Sequence, residues 1–145
     1  MEAYKEGFQE FYRCWRAVNA VYVRYARRLG ISYAALQVLC GIYSAGGPIT
    51  QRELCEQTYL QKTTVNAIIK GCVEKGLLTL CGSSSDRRRK EIQLTPSGEA
   101  YAAGIVGDML RAEAAAFAVP DKEAIEIMVD TLGRYAAALD ERMNF

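Results

Sequence analysis

Apolar residues recur at steps of three and four over residues 4–29: Phe8, Phe11, Trp15, Val18, Tyr22, Ala26 and Leu29. That spacing predicts a long helix with one apolar stripe, and Arg13, Arg16, Arg24, Arg27 and Arg28 lie mostly off it. Gly30 ends this helix and Ser32 can cap the next, residues 32–45, with Leu36, Leu39, Cys40 and Tyr43 facing inward. Gly46-Gly47-Pro48 breaks the pattern. Thr50-Gln51-Arg52-Glu53 is a capping box: the Thr50 hydroxyl takes the Glu53 amide and the Glu53 carboxylate returns to the Thr50 amide. It opens a short helix over 50–56. A turn through Thr58, Tyr59 and Leu60 leads to a helix over 61–75. Its apolar face is Val65, Ile68, Ile69 and Cys72; its other face is Lys62, Thr63, Asn66 and Lys70.

Beyond Gly76 the period falls from 3.6 to 2. Residues 77–81 and 91–95 read as two strands, joined by Gly82-Ser83-Ser84-Ser85-Asp86-Arg87-Arg88-Arg89-Lys90, a hairpin with a long basic tip. Thr95-Pro96 caps a fifth helix over 96–118. Pro120-Asp121 restarts the chain as a sixth, 121–143, with Ile125, Met128, Leu132, Tyr135, Leu139 and Met143 on its stripe. The fold class is therefore mostly α with a small β-hairpin wing. The order is that of a winged helix-turn-helix lobe plus a helical region.

The chain has 145 residues, enough for one domain. The net charge of +1 names no partner, but its distribution does. Residues 1–30 carry net +3, residues 31–60 net −1, residues 61–95 net +4 and residues 96–145 net −5. Such asymmetry marks a polyanion-binding face. The absence of histidine excludes Ser-His-Asp and Cys-His catalysis and every His-containing metal site. No phosphate-binding glycine motif is present, so the chain reads as a non-enzyme without cofactor or metal. No apolar run reaches the length of a membrane span, and the N-terminus lacks a signal-peptide pattern. A cytoplasmic location is expected.

The chemistry concentrates on two segments. Gln61, Lys62, Thr63, Thr64, Asn66 and Lys70 bring amide, hydroxyl and ammonium groups to a helix, with most of them at its start. Such groups suit base edges in a major groove. Arg87, Arg88, Arg89 and Lys90 at a hairpin tip can reach phosphates or the minor groove. Each segment alone is explained as well by a solvated face. The coupling of a capped helix pair to a basic hairpin tip favours DNA.

Further residues carry a resemblance. Gly76-Leu77-Leu78, then Asp86-x-Arg88-x-x-x-Ile92-x-Leu94-Thr95-x-x-Gly98, resembles the wing signature of the MarR (multiple antibiotic resistance regulator) family. Leu60-x-x-Thr63-Thr64-Val65-Asn66 resembles its recognition helix. Leu29-Gly30-Ile31-Ser32 with Leu36-x-Val38-Leu39 resembles its passage from first to second helix. The resemblance covers essentially all of residues 1–145. It implies a bacterial or archaeal transcription regulator, a repressor, acting as a homodimer on a pseudo-palindromic DNA operator. Residues 32–95 would form the DNA-binding lobe; residues 1–30 and 96–145 would form the dimerisation region. Thr63, Thr64 and Asn66 would face the major groove and Lys62 the phosphates. Asp86 would brace the wing and Arg88 would enter the minor groove. Where the family commonly has arginine, this chain has Ala67, and the strand leading to the wing carries Thr79, Leu80 and Cys81. Both departures shift electrostatic work onto Arg87 to Lys90.

Nine of the 14 aromatic residues lie within the first 43 positions. The resemblance implies a ligand pocket between the dimer helices and the DNA-binding lobe. Trp15, Tyr22, Tyr33 and Tyr43 are candidates to line it for a small aromatic or phenolic ligand. Ordinary dimer core is the competing explanation of the same stripe. Five cysteines without C-x-x-C spacing argue against a disulfide framework. Cys40, Cys55 and Cys72 fall in apolar patterns, whereas Cys14 and Cys81 are candidate redox thiols. The alternatives to a ligand-responsive regulator are a thiol-based oxidant sensor of the same fold and a winged-helix protein-interaction module.

Overall fold

The computed structural model describes residues 2–82 and 90–143. The elements follow in the order α1 (Glu2–Arg28), α2 (Tyr33–Ala45), β1 (Ile49–Thr50), α3 (Gln51–Thr58), α4 (Lys62–Glu74), β2 (Leu78–Gly82), β3 (Lys90–Leu94), α5 (Pro96–Phe117) and α6 (Lys122–Met143). The predicted helices and hairpin strands are all present, with ends within about two residues, the ordinary scatter of helix boundaries. The chain divides into two compact units, Met1–Gly107 and Asp108–Phe145, and the division falls within α5.

In the first unit, glycines end two helices by the same device. Gly30 has φ 70°, and the Gly30 and Ile31 amides donate to the Arg27 and Ala26 carbonyls, closing α1. Gly76 has φ 68°, and the Gly76 and Leu77 amides donate to Val73 and Cys72, closing α4. A side chain other than glycine is disfavoured in that left-handed conformation. Ser32 caps α2 by accepting the Ala35 amide at 3.0 Å. The capping box of α3 is formed as its sequence requires. The Glu53 amide donates to Thr50 Oγ1 at 3.2 Å, and the Thr50 amide donates to Glu53 Oε2 at 2.8 Å.

The sheet has three strands in the order β1-β3-β2, all antiparallel neighbours. Sequence periodicity finds only the hairpin, because β1 has two residues and no room for alternation. It pairs Ile49 with Ile92 and Thr50 with Glu91, so β3 is the central strand. Leu78 pairs with Leu94 and Leu80 with Ile92. Ile49, Leu78 and Ile92 enter a core with Val38, Ile42, Leu54, Val65 and Ile69. Ile68, Cys55 and Cys72 pack against that core from partly buried positions.

Helix α2 departs in detail from its expected face. Leu36 and Leu39 are buried, but so are Val38 and Ile42, while Cys40 and Tyr43 are only half-buried. A helix enclosed from several sides buries a wider arc than a single stripe. Tyr25 reaches α5 by donating its hydroxyl to the Ile105 carbonyl at 2.7 Å. Thr95 caps α5 by accepting the Gly98 amide at 3.0 Å, and it donates to the Gly76 carbonyl at 2.7 Å. A Cβ at Gly98 would lie 1.9 Å from the Leu77 carbonyl oxygen, so only glycine permits this approach of α5 to the strand entry.

The stripe on α1 is covered at one end. Ala26 is buried, whereas Phe8, Trp15 and Val18 are exposed. Helix α6 buries none of its residues; Met128, Leu132, Leu139 and Met143 are exposed.

Candidate nucleic-acid interface

Helices α3 and α4 form the helix-turn-helix. The turn begins where Tyr59 adopts φ 55° and donates its amide to the Cys55 carbonyl at 2.9 Å. Thr58 donates its hydroxyl to the Leu54 carbonyl at 2.6 Å, and Leu60 anchors the turn against the core. Gln51 Nε2 donates to the Lys62 carbonyl at 3.1 Å, linking the first residues of the two helices.

Helix α4 buries Val65 and Ile69 and leaves Lys62, Thr63, Asn66 and Lys70 exposed. Gln61 precedes it, exposed, and makes no side-chain cap. Lys62, Asn66 and Lys70 are four residues apart and share one face. Thr64 lies about 200° round the helix from Lys62 at about 100° per residue, and it is half-buried. Lys70 stands 4.0 Å from Glu74, an exposed pair that leaves its charge largely available.

Lys62, Asn66 and Ile69 line one wall of an open groove of about 700 Å³. Gln51, Arg52 and Cys55 of α3 line a second side, with Leu80, Lys90 and Ile92 of the sheet on a third. The fold therefore brings Lys62, Asn66 and Lys90 together around one concave surface. Asp86, Arg87, Arg88 and Arg89 lie outside the described residues. Sequence reasoning did not select Gln51 or Arg52. The signal available was position: both fall in the first turn of a capped helix that must lie across the recognition helix. Arg52 donates to Glu56 Oε1 at 2.7 Å, and that carboxylate raises the guanidinium pKa. An arrangement of ammonium, guanidinium and amide groups around an open groove can hold phosphates on its rim and read base edges along α4.

The aromatic candidates do not converge in the same way. Tyr22 and Tyr33 stack with ring centroids 6.1 Å apart and planes at 21°. Trp15 stacks instead on Phe11, at 6.1 Å and 28°. It is two helical turns, about 10 Å, from Tyr22 along α1. Tyr43 lines a separate cleft of about 490 Å³ with Gly47, Gln93, Leu94, Glu99 and Ala103.

Cys14 and Cys81 are both exposed. Arg13 beside Cys14 is engaged by Glu10, donating from Nε at 3.0 Å. Cys81 sits opposite Glu91 on the hairpin, where a carboxylate faces its strand position. Burial pushes the Cys72 thiol pKa up, which keeps it in the unreactive protonated form.

The family model described as the MarR family matches residues 29–89, the segment from the end of α1 to the hairpin. That match takes in α2, β1, α3, α4 and β2. MarR-family regulators are DNA-binding transcription factors and not enzymes. Solved structures share the fold well beyond the matched segment. A MarR-family regulator from Neisseria meningitidis, NMB1585, superposes with a TM-score of 0.81 at 21% identity, covering 94% of this chain and 96% of that one. The transcriptional regulator PA3341 gives 0.76 at 26% identity, covering 92% and 97%. The Staphylococcus aureus MepR–DNA complex gives 0.71 at 20% identity, covering 90% and 96%. No curated protein sequence matches the chain. Among the described residues, no helix is long and apolar enough to cross a membrane.

Proposed function

We propose that the chain is a cytoplasmic, homodimeric transcription repressor that binds a pseudo-palindromic DNA operator. The observation that carries this reading is the groove on the MarR-family lobe. Lys62 and Asn66 of α4 meet Lys90 of the hairpin there, with Gln51 and Arg52 between them. Residues 32–95 act as the DNA-binding lobe. Asn66 and Thr63 read base edges, Gln61, Lys62 and Lys70 lie against the strand, and Thr64 sets the phase of the helix from its half-buried position. Lys90 continues the basic run of Arg87, Arg88 and Arg89, with Asp86 at its start, toward phosphates and the minor groove. That MepR was solved with DNA supports this use of the fold.

Residues 1–30 and 96–145 supply the dimer contacts. The exposed Phe8, Trp15 and Val18 on α1 and Met128, Leu132 and Leu139 on α6 are apolar surface that a second copy covers. A dimer then presents two copies of α4 to half-sites about 10 bp apart or a multiple of that turn. Selection of duplexes from a random pool tests the whole reading. A pseudo-palindrome with that spacing is expected, and enrichment of no sequence contradicts it.

A small aromatic ligand modulates DNA affinity by favouring one separation of the two recognition helices. The stacked pair Tyr22–Tyr33 supports an aromatic site at that end of α1, with Trp15 and Tyr43 as outer candidates. A thiol-based oxidant response is the second reading, favoured by the exposure of Cys14 and Cys81. Release from DNA by hydroperoxide that persists in the Cys14→Ser, Cys81→Ser double variant excludes it.

A further inference from the structure

Among the described residues, Tyr59 is the non-glycine residue with positive φ, at 55°. An L side chain is disfavoured in this conformation, and glycine or asparagine is what such a helix terminus ordinarily holds. Packing does not explain the tyrosine. Its side chain is 94% exposed, more than any other large apolar residue described. The turn is held by Leu60 packed against the core and by the Tyr59 amide on the Cys55 carbonyl, neither of which needs the ring. An aromatic ring therefore stands where the backbone disfavours it and where it is exposed rather than packed.

Its position supplies a use. Tyr59 stands three residues before Lys62, the first residue of α4, on the turn that leads into the recognition helix. When such a helix enters a major groove, the helix before it crosses the phosphate backbone, and Tyr59 stands on the turn that joins the two. A phenol offers one O–H donor and an apolar face, a combination suited to a phosphate oxygen and the adjoining sugar. The two cations nearest to it in sequence, Arg52 and Lys62, line the groove beside α3 and α4.

We infer that Tyr59 is a DNA-backbone contact whose hydroxyl donates to a phosphate oxygen beside the groove entered by α4. The inference rests on the DNA-binding reading of α4. A phosphate contact carries no sequence information, so its loss weakens binding to all duplexes by a similar factor.

The test uses full-length protein, a duplex selected from a random pool by the wild type, and a scrambled duplex of the same composition. Tyr59→Phe removes only the hydroxyl. It is expected to weaken binding to both duplexes by about threefold to tenfold, the loss of one hydrogen bond. Tyr59→Asn removes the ring but suits the left-handed turn. It is expected to bind both at least as weakly, with a melting temperature no lower than wild type. Wild-type affinity in Tyr59→Phe overturns the assignment, whatever Tyr59→Asn does. So does a loss confined to the selected duplex, which is the signature of base reading. A wild-type protein that binds neither duplex overturns the reading of α4 itself and is told apart by that control. Tyr59→Phe leaves the turn untouched, so it decides the matter even if Tyr59→Asn folds poorly.

Discussion

Gln51 Nε2 donates to the Lys62 carbonyl at 3.1 Å, joining the first residue of the supporting helix to the first residue of the recognition helix. The bond is exposed, so its net contribution to stability is modest, about 0.5–1.5 kcal/mol. Its effect on orientation is larger, because it restrains the end of α4 that faces the groove. Gln51→Ala is expected to lower the melting temperature by only a few degrees while weakening duplex binding several-fold. Calorimetry beside an anisotropy titration checks this. Equal losses in both would make Gln51 a structural residue alone.

Gly98 and Gly104 lie six residues apart on α5 and have opposite surroundings. A Cβ at Gly98 meets the Leu77 carbonyl oxygen at 1.9 Å, whereas one at Gly104 meets nothing within 4 Å. Gly98→Ala is expected to destabilise by about 3 kcal/mol, since backbone must move to admit it. Gly104→Ala is expected to stabilise by about 0.5–1 kcal/mol, the usual gain in a helix interior. Urea unfolding of both variants measures the contrast.

How much of this was legible in sequence follows from the range of each interaction. The Thr50–Glu53 capping box closes over three residues, so its chemistry is written in one tetrapeptide. Gly30 and Gly76 announce helix ends because a left-handed residue is a local requirement. The pairing of Ile49 with Ile92 spans the whole helix-turn-helix, and two residues carry no period by which to see it. Val38 and Ile42 depend on what surrounds α2, which no stripe on α2 records. Lys62, Asn66 and Lys90 were each selected from sequence. Their meeting with Gln51 and Arg52 around one groove is a property of packing and appears only in the fold.

The thiols should differ in reactivity. Burial raises the Cys72 pKa, whereas Cys14 and Cys81 are exposed. In native protein iodoacetamide is expected to label Cys14 and Cys81 first and Cys72 last, read by peptide mass mapping. The sign of the pH effect follows from the raised folded pKa. Any stability this thiol contributes is fully present below its unfolded pKa and is lost as pH rises through the folded value. Cys72→Ala should flatten that alkaline decline. Labelling of Cys72 as fast as Cys81 would contradict the burial argument.

The exposed α6 residues Met128 and Leu132 need a partner surface if the homodimer reading holds. A Met128→Asp, Leu132→Asp double variant is expected to sediment as a monomer at micromolar concentration, where the wild type sediments as a dimer. A monomeric wild type would remove the second half-site from the account.

The most direct measurement of the central claim is duplex affinity as a function of salt, for wild type and for Lys62→Ala and Lys90→Ala. The logarithm of the association constant should fall linearly with the logarithm of salt concentration, as counterions are released from neutralised phosphates. Each lysine variant should reduce the magnitude of that slope by about one. An affinity indifferent to salt, or slopes unchanged in both variants, would contradict the assignment of this groove to DNA.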